Sequence, residues 1–348
     1  ARINAVMGRW EKLSGRSLPR PVVLEGNLCE PLLGLDLDSR HWVATHCGRV
    51  LHNAASMTFR ESERTDEPFR TNVDGVRNLL EVCQAAGIRE FHHVSTAYVC
   101  GLRTGRVLET ELDLGQENGN VYERSKMMGE KLVLSADFLD QVTVYRPSSV
   151  IGDATSGYTS STHGFYLPLQ MAHATADTFP VELMGERFFA KLGLAGDEGK
   201  NLVPVDWLAK AIVSIFNRPE LHGKTYHLSS PKPVTVRMIQ TVIQEAMARF
   251  SKNRASLSSL SEEEIAGFEV LFQQYIEVYR SHWRDDPVFD RANTDLALEH
   301  LPCPELDHDT LMRIAKYPIE RDFILNEHDA APADMQAYDR LDELVQCG

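Results

Sequence analysis

The chain has 348 residues, of which 43% are hydrophobic and 25% are charged, and its formal net charge is −14. These proportions are typical of a globular protein that buries a large core. The acidic balance argues against nucleic acid as the main partner, because contacts to phosphates need clustered lysine and arginine. No apolar run approaches the length of a membrane span and no signal peptide is visible, so we expect a cytoplasmic protein.

The placement of cysteine and histidine predicts no metal site. None of the cysteines forms a CxxC pair, so neither a disulfide framework nor a cysteine-based metal site is expected. The scattered cysteines are Cys29, Cys47, Cys83, Cys100, Cys303 and Cys347. Reduced thiols suit a cytosolic protein. His92 and His93 alternate across a predicted strand, which favours one satisfied buried histidine over a metal ligand.

The first half of the chain alternates apolar runs of strand length with amphipathic helical segments. The predicted strands are 21–26, 49–53, 90–101 and 141–152. The predicted helices are 1–14, 68–86 and the segment from Asn120 to Val133. Such alternation indicates an α/β protein with a parallel sheet that helices cover on both faces.

The second half is predicted to be mostly helical. Its predicted elements are a helix at 167–179, a short strand and an Asp206-capped helix within 201–217, a strand at 224–230 and a helix at 234–250. Ser261 and Glu264 have the spacing of a capping box at the start of a further helix. Four aromatic residues of that helix favour a core role, with an acyl tunnel as the alternative. They are Phe268, Phe272, Tyr275 and Tyr279.

Tyr122 and Lys126 lie four residues apart near the start of a predicted helix and therefore share one helical face. An ammonium favours a nearby phenolate, so we expect the tyrosine pKa to fall from about 10 towards neutral pH. Such a tyrosine exchanges a proton with a substrate oxygen. Because this spacing also arises by chance, an ordinary amphipathic surface helix is the alternative interpretation.

Small and polar residues follow three of the predicted strands. They are Asn53-Ala54-Ala55, Ser95-Thr96 and Pro147-Ser148-Ser149. Ligands of parallel α/β sheets bind at the carboxyl ends of the strands, so these clusters and Tyr122 are expected to share one crevice. Ser95 points to the opposite face from Thr96 and is expected to be structural. Asn72 either supports the cofactor loop or hydrogen-bonds to the neighbouring strand.

Five ordered segments resemble the motifs of extended short-chain dehydrogenases/reductases. They are RVLHNAASMTF, TNVDGVRNLLEVCQAAGIREFHHVSTAYVCG, NVYERSKMMGEKLV, VYRPSSVIGD and NLVPVDWLAKAI. The segment STAYVCG, which follows FHHV, is similar to the corresponding segment in the fatty acyl-CoA reductase and thioester-reductase-like branch. The resemblance implies a Rossmann-type doubly wound parallel sheet in residues 1–230. It also implies a mostly helical substrate-binding lobe in 231–348, with 153–200 contributing to the substrate site.

The resemblance also implies site residues. Tyr122 becomes the catalytic acid/base, Lys126 lowers its pKa and holds the nicotinamide ribose, and Thr96 hydrogen-bonds to the substrate carbonyl oxygen. The implied cofactor is NADP (NADPH), with NAD as the alternative. The implied cofactor-binding positions, besides Tyr122 and Lys126, are Gly26, Asn27, Leu28, Asn53, Ala54, Ala55, Asn72, Pro147, Ser148 and Val150. The substrate-side candidates are Ser56, Tyr98 and His163.

The sequence departs from the family pattern at two places. The family usually has Asp where this chain has Asn27. The strand, GxxGxxG turn and helix that bind the pyrophosphate do not occur before the 21–26 segment. We expect these residues to lie upstream of Ala1; a second polypeptide in the gap and a rearranged sheet are the alternatives.

The resulting hypothesis is an NADP-dependent reductase of an acyl thioester, bound to coenzyme A or to a carrier, or of a related carbonyl. One alternative is an NAD(P)-dependent epimerase, dehydratase or hydroxy dehydrogenase on the same scaffold. Another is a non-catalytic cofactor-binding or scaffold member. The sequence leaves the oligomeric state open, with a homodimer among the options.

Overall fold

The computed structural model describes residues 2–61, 64–160, 163–176, 192–251, 261 and 283–325. The helices are α1 (Arg2–Ser14), α2 (Leu37–His46), α3 (Gly75–Ala86), α4 (Val121–Leu134), α5 (Tyr166–Ala174), α6 (Val205–Phe216), α7 (Val236–Phe250), α8 (Ala292–Ala297) and α9 (His308–Ile319). The strands are β1 (Arg49–His52), β2 (Glu90–Val94), β3 (Arg106–Val107), β4 (Gln141–Pro147), β5 (Ser149–Ile151), β6 (Gly199–Lys200), β7 (Leu202–Pro204), β8 (Thr225–Leu228), β9 (Val234–Thr235) and β10 (Val288–Phe289).

The central sheet has the order β1-β2-β4-β8, and all its strands are parallel. His52 pairs with His93, Val94 with Tyr145, and Pro147 with Leu228. The carboxyl ends of these strands therefore lie along one edge of the sheet. This arrangement confirms the predicted α/β class with a Rossmann-type parallel sheet.

Two apolar layers cover the sheet. On one side, α3 and α4 pack against it through a cluster that includes Val76, Leu80, Phe91 and Val133. A second cluster joins α6 to β4 and β8, and it includes Trp207, Ala211, Tyr145 and Tyr226. Burial of a large apolar side chain stabilises a fold by about 1.5–3 kcal/mol, so these layers fix the helices against the strands.

A third core packs α5, α7 and α9 together. Its members include Leu169, Ile239, Ile243, Leu311 and Ile314, all nearly or completely buried. The segment after residue 283 also returns to the sheet side, because β10 pairs with β3 and α8 contacts β8. The division into residues 1–230 and a lobe of 231–348 stays a prediction.

The prediction of a strand at 21–26 is wrong. This segment has no regular secondary structure, and Val22 and Val23 are 59% and 63% exposed. A strand needs a hydrogen-bonded neighbour, and within the described residues β1 is the end strand of the central sheet, paired on one side with β2. The apolar run therefore has no strand to pair with in the described chain.

Asp206 does not cap α6 as predicted. Pro204 occupies the cap position, and the Asp206 side chain lies in the first turn, where Oδ1 accepts a hydrogen bond from the Ala154 amide at 3.0 Å. Asp206 therefore connects α6 to the loop after β5. The predicted capping-box helix and its aromatic series fall within 262–282, outside the described residues. None of the described helices is long and apolar enough to cross a lipid bilayer.

A buried ion pair joins α4 to β4. Arg146 is 1% exposed, and its Nη2 lies 2.6 Å from Oε1 of Glu130 on α4. The guanidinium also donates to the Glu111 carbonyl oxygen at 2.7 Å. A buried guanidinium needs its countercharge, because neither charge reaches water.

We predict that Glu130→Gln destabilises the protein by roughly 3–5 kcal/mol, because it leaves Arg146 buried without its countercharge. Urea unfolding measures this loss. The control is Glu320→Gln, which removes an exposed partner 3.6 Å from Lys316 and should change the free energy of unfolding by less than about 1 kcal/mol. Equal losses in the two variants would contradict the role given to the buried pair.

Candidate active site

Helix α4 begins with a reciprocal cap that sets the position of Tyr122. The Asn120 side chain accepts a hydrogen bond from the Glu123 amide at 2.9 Å. In return, the Glu123 carboxylate accepts from Asn120 Nδ2 at 3.0 Å and from the Gly119 amide at 2.8 Å. Such pairing satisfies amides that a helix start leaves without partners. Burial raises the pKa of Glu123 to about 7.

Lys126 connects α4 to the end of β2. Its side chain is buried, and Nζ donates a hydrogen bond to the carbonyl oxygen of Val94 at 2.7 Å. Val94 is the last residue of β2 and stands two positions before Thr96. Burial lowers the pKa of Lys126 to about 8, since the ammonium loses hydration. This hydrogen bond therefore connects the helix of Tyr122 to the carboxyl end of β2.

Thr96 lies between two strand ends. Its hydroxyl accepts a hydrogen bond from the Tyr98 amide at 3.3 Å and donates a long one to the Pro147 carbonyl oxygen at 3.5 Å. The first of these contacts is local, because the amide belongs to the residue two positions further on. The position of Thr96 also fits the predicted crevice, because β2 and β4 both end beside it.

The expected lowering of the Tyr122 pKa is wrong. Burial, with a further contribution from the Glu123 charge, raises the pKa of Tyr122 to about 12. A phenolate loses hydration when it is buried, while the Lys126 ammonium is bound to the Val94 carbonyl. At neutral pH the described chain therefore keeps Tyr122 protonated.

Phe59 was missed by the sequence interpretation. Its ring centroid lies 5.5 Å from that of Tyr122 and 6.4 Å from that of His163. Phe59 therefore contacts both rings, which places the substrate candidate His163 in the same region as Tyr122. No spacing rule connects positions so far apart in sequence, so only the fold reveals this contact.

Asn72 supports the segment that follows the Asn53–Ala55 cluster. Its side-chain oxygen accepts from the Ser56 amide at 2.8 Å, and its nitrogen donates to the Ser56 carbonyl and to Ser125 Oγ, each at 2.9 Å. Ser125 belongs to α4, so Asn72 links the cofactor-side segment to the helix of Tyr122. The helix approaches closely here, because a Cβ at Gly129 would lie 2.5 Å from the Asn72 carbonyl oxygen. Of the two roles left open for Asn72, the contacts favour loop support.

The Tyr98 hydroxyl makes its hydrogen-bond contacts within the protein. The hydroxyl donates to Asp286 Oδ2 at 2.9 Å and lies 3.2 Å from Ser149 Oγ. Asp286 in turn forms a buried ion pair with Lys200 at 2.6 Å. Burial and the Asp286 carboxylate raise the pKa of Tyr98 well above its ordinary value. The sequence interpretation missed Asp286, which stands in a short acidic stretch with no motif around it.

The cofactor-side candidates occupy two places. Asn53, Ala54 and Ala55 are exposed beyond β1, and Val150 is 40% exposed. Ser148 is buried, as is Ser95, for which the sequence predicts a structural role, and neither hydroxyl has a hydrogen-bond partner among the described residues. Such hydroxyls at two strand ends fit a crevice that receives a polar ligand.

The Gly26–Leu28 segment lies on α3 rather than in a strand. The Leu28 carbonyl accepts from Asn78 Nδ2 at 2.9 Å, and Gly75 leaves room for the Leu28 side chain. The Asn27 side chain is used within its own turn, where Oδ1 accepts from the Cys29 amide at 3.0 Å and Nδ2 donates to Glu30 Oε1 at 2.9 Å. The cofactor contact implied for this segment stays a prediction.

Solved structures and curated relatives resemble this chain. The terminal R domain of the myxalamid PKS-NRPS pathway has a TM-score of 0.65 at 24% identity, covering 90% of this chain and 77% of that one. A thiolation-reductase di-domain of an archaeal non-ribosomal peptide synthetase has a TM-score of 0.61 at 20% identity, covering 92% and 67%. MoeE5 in complex with UDP-glucuronic acid and NAD has a TM-score of 0.57 at 16% identity, covering 90% and 94%. These likenesses show the fold.

Two relatives share sequence with parts of the chain. Nonribosomal peptide synthetase asaC of Aspergillus flavus is 24% identical over 237 residues, 65% of this chain and 21% of that protein. Fatty acyl-CoA reductase 2, chloroplastic, of Arabidopsis thaliana is 33% identical over 99 residues, 28% of this chain and 16% of that protein. The matched part of the chain thus spans only 21% and 16% of the length of these two relatives.

The family model described as male sterility protein matches residues 2–212, which is more than half of the chain. The matched residues include β1, β2, β4 and α4 with their strand-end clusters. The chain therefore belongs to the male sterility protein family of NAD-binding domains.

Proposed function

We propose that the protein reduces an acyl thioester with NADPH, using Tyr122 as the proton donor, Thr96 as a hydrogen-bond donor and Lys126 as the cofactor anchor. The observation that carries this proposal is the hydrogen bond from Lys126 Nζ to the Val94 carbonyl oxygen at 2.7 Å. It brings the helix of Tyr122 to the strand end that carries Thr96. This contact supports the proposal that the three side chains share one crevice at the carboxyl edge of the sheet, where ligands of this fold class bind.

The residues present fit a nicotinamide cofactor. An ammonium has three hydrogen-bond donors, and the Val94 carbonyl takes one of those of Lys126, which leaves donors for ribose hydroxyls. Asn53–Ala55, Ser148 and Val150 border the same edge as candidate contacts. When bound, the cofactor supplies the hydride, and the protein supplies orientation and electrostatics.

Reduction of a thioester places negative charge on the carbonyl oxygen. Thr96 and Tyr122 can each donate a hydrogen bond to that oxygen, which lowers the barrier to its formation. Proton delivery from Tyr122 then gives a hemithioacetal, whose C–S bond breaks to release a thiol and an aldehyde. A tyrosine pKa of about 12 keeps the hydroxyl protonated at neutral pH, which suits an acid in the reducing direction.

We infer the class of substrate from the proteins that this chain resembles. One structural relative is a terminal R domain of a PKS-NRPS pathway and another is a thiolation-reductase di-domain, which favour an acyl group on a carrier. The similarity to a fatty acyl-CoA reductase keeps coenzyme A thioesters as candidates. Structures with UDP-glucuronic acid and NAD share the fold, so a nucleotide-sugar epimerase is the competing function that an assay must separate.

We predict that Tyr122→Phe lowers kcat for NADPH oxidation in the presence of an acyl thioester by about 10²–10⁴-fold, because it removes the proton donor. Thr96→Val should also lower kcat, since one donor to the oxyanion is lost. Tyr317→Phe is the matched control, because Tyr317 belongs to α9 and its ring packs against Tyr158 at 5.4 Å, and it should leave kcat unchanged.

The same assay on full-length protein separates the alternatives. Turnover of a nucleotide sugar by protein that is inert towards acyl-CoA and carrier-bound thioesters would replace the reductase with an epimerase. Failure to bind either NADPH or NADH would support the scaffold alternative. Retained thioester reduction in Tyr122→Phe would reject the role of the tyrosine.

We predict that kcat/KM for NADPH falls as pH rises through about 8, the pKa that burial gives Lys126. Above that pH the free enzyme loses the ammonium that anchors the ribose, and kcat/KM reports groups of the free enzyme. Lys126→Arg keeps its charge at alkaline pH, so the fall should move to higher pH in that variant. An identical fall in the two proteins would assign the titration to another group.

A further inference from the structure

Three side chains that can bind a metal meet at the end of β2 opposite to Thr96. They are Glu90 and His92 of β2 and His222 of the loop before β8, and their ligand atoms all lie within 4.8 Å of one another. The two histidine side chains are 0% exposed, whereas that of Glu90 is 22% exposed. The group therefore has a buried nitrogen side and a carboxylate that reaches solvent.

The distances approach those of a tetrahedral site. Glu90 Oε1 lies 3.0 Å from His92 Nε2 and 2.9 Å from His222 Nδ1. Zinc bonds of about 2.0–2.2 Å in a tetrahedron separate neighbouring ligand atoms by about 3.3–3.5 Å. Side-chain shifts of about half an ångström would open the group to that size. Water could complete the coordination from the exposed side of the carboxylate.

In each imidazole, the ring nitrogen that faces away from Glu90 has a polar partner that orients the ring. His222 Nε2 lies 3.1 Å and 3.2 Å from the carbonyl oxygens of Ile215 and Phe216, which only accept, so this nitrogen carries a proton. His92 Nδ1 lies 2.9 Å from the Tyr145 hydroxyl, which can accept its proton. A carbonyl or hydroxyl behind each ring is the usual support of a metal-binding histidine.

The inner nitrogen of His222 is the unexplained atom. Nδ1 is buried and makes no hydrogen bond within the described structure, although Glu90 Oε1 is only 2.9 Å away. With its proton on Nε2, the ring directs Nδ1 towards the carboxylate, so either a second proton or a metal ion lies between these two atoms. We propose that Glu90, His92 and His222 bind a divalent metal ion of the zinc type, which fills this role.

Arg49 is expected to lower the affinity of the site for a metal ion. Its Nε lies 3.4 Å from Glu90 Oε1, its side chain is 38% exposed, and it also donates to the Phe216 carbonyl oxygen at 3.2 Å. A guanidinium beside the carboxylate repels a metal cation and competes for the same oxygen. Removal of Arg49 should therefore strengthen metal binding, whereas removal of a ligand should weaken it.

The location indicates a structural rather than a catalytic metal. Four residue steps separate Glu90 from Val94, about 13 Å along the strand, and Thr96 lies further on. The ion would join β2 to the loop between α6 and β8, two segments that are far apart in sequence. Binding to the folded state alone then raises the stability of the protein.

The test is calorimetric titration of Zn²⁺ into full-length protein that has been stripped with a chelator. We expect one high-affinity ion per chain, a rise in Tm on binding, and a tetrahedral visible spectrum when Co²⁺ is used instead. Glu90→Gln keeps the shape of the side chain and should weaken binding by at least about tenfold. His222→Ala should act in the same direction.

Two further variants provide matched controls. His308→Ala removes a half-buried histidine of α9, 3.4 Å from Glu245, and it should leave the affinity unchanged. Arg49→Gln should tighten binding several-fold. Absence of high-affinity binding in the wild type, or equal affinities in the wild type and Glu90→Gln, would overturn the proposal. If His222→Ala does not fold, Glu90→Gln and Arg49→Gln still decide, because their expected effects have opposite signs.

Discussion

The hydrogen bond from Lys126 to the carbonyl oxygen of Val94 connects the two halves of the candidate site. It holds α4 against the carboxyl end of β2, the strand end that precedes Thr96. The buried pair of Arg146 and Glu130 fixes the same helix to β4 further along. Asn72 then links the helix to the segment after β1. A rigid helix start suits a proton donor, because proton transfer requires the hydroxyl to be held within hydrogen-bond distance of the substrate oxygen.

Burial sets the direction of both key pKa values. The phenolate of Tyr122 and the ammonium of Lys126 each lose hydration, so the first pKa rises and the second falls. The two shifts suit different proposed roles. Tyr122, with a pKa of about 12, stays protonated as a proton donor, and Lys126, with a pKa of about 8, can lose its charge at mildly alkaline pH. The opposite end of β2 carries a different chemistry, in which Glu90 and two histidines form a compact group. The two ends of β2 thus border the candidate active site and the proposed metal site.

Much of this arrangement follows from local sequence patterns. The strand–helix alternation and the spacing of Tyr122 and Lys126 predicted the sheet, the helix and the shared edge, because these depend on periodicity and topology. The strand at 21–26 failed because pairing requires a neighbour that an apolar run does not reveal. Phe59 and Asp286 were missed because their partners are distant in sequence. The sign of the Tyr122 shift was wrong because it depends on desolvation, which only the packed structure shows.

The most direct test of the proposed reduction follows the hydride itself. Full-length protein is incubated with an acyl thioester and NADPH that carries deuterium at the transferable position of the nicotinamide, and the product is examined by mass spectrometry and NMR. The account predicts an aldehyde, or an alcohol formed from it, with deuterium on the former carbonyl carbon and none elsewhere. A product without deuterium at that carbon, formed at the normal rate, would contradict direct hydride transfer beside Tyr122.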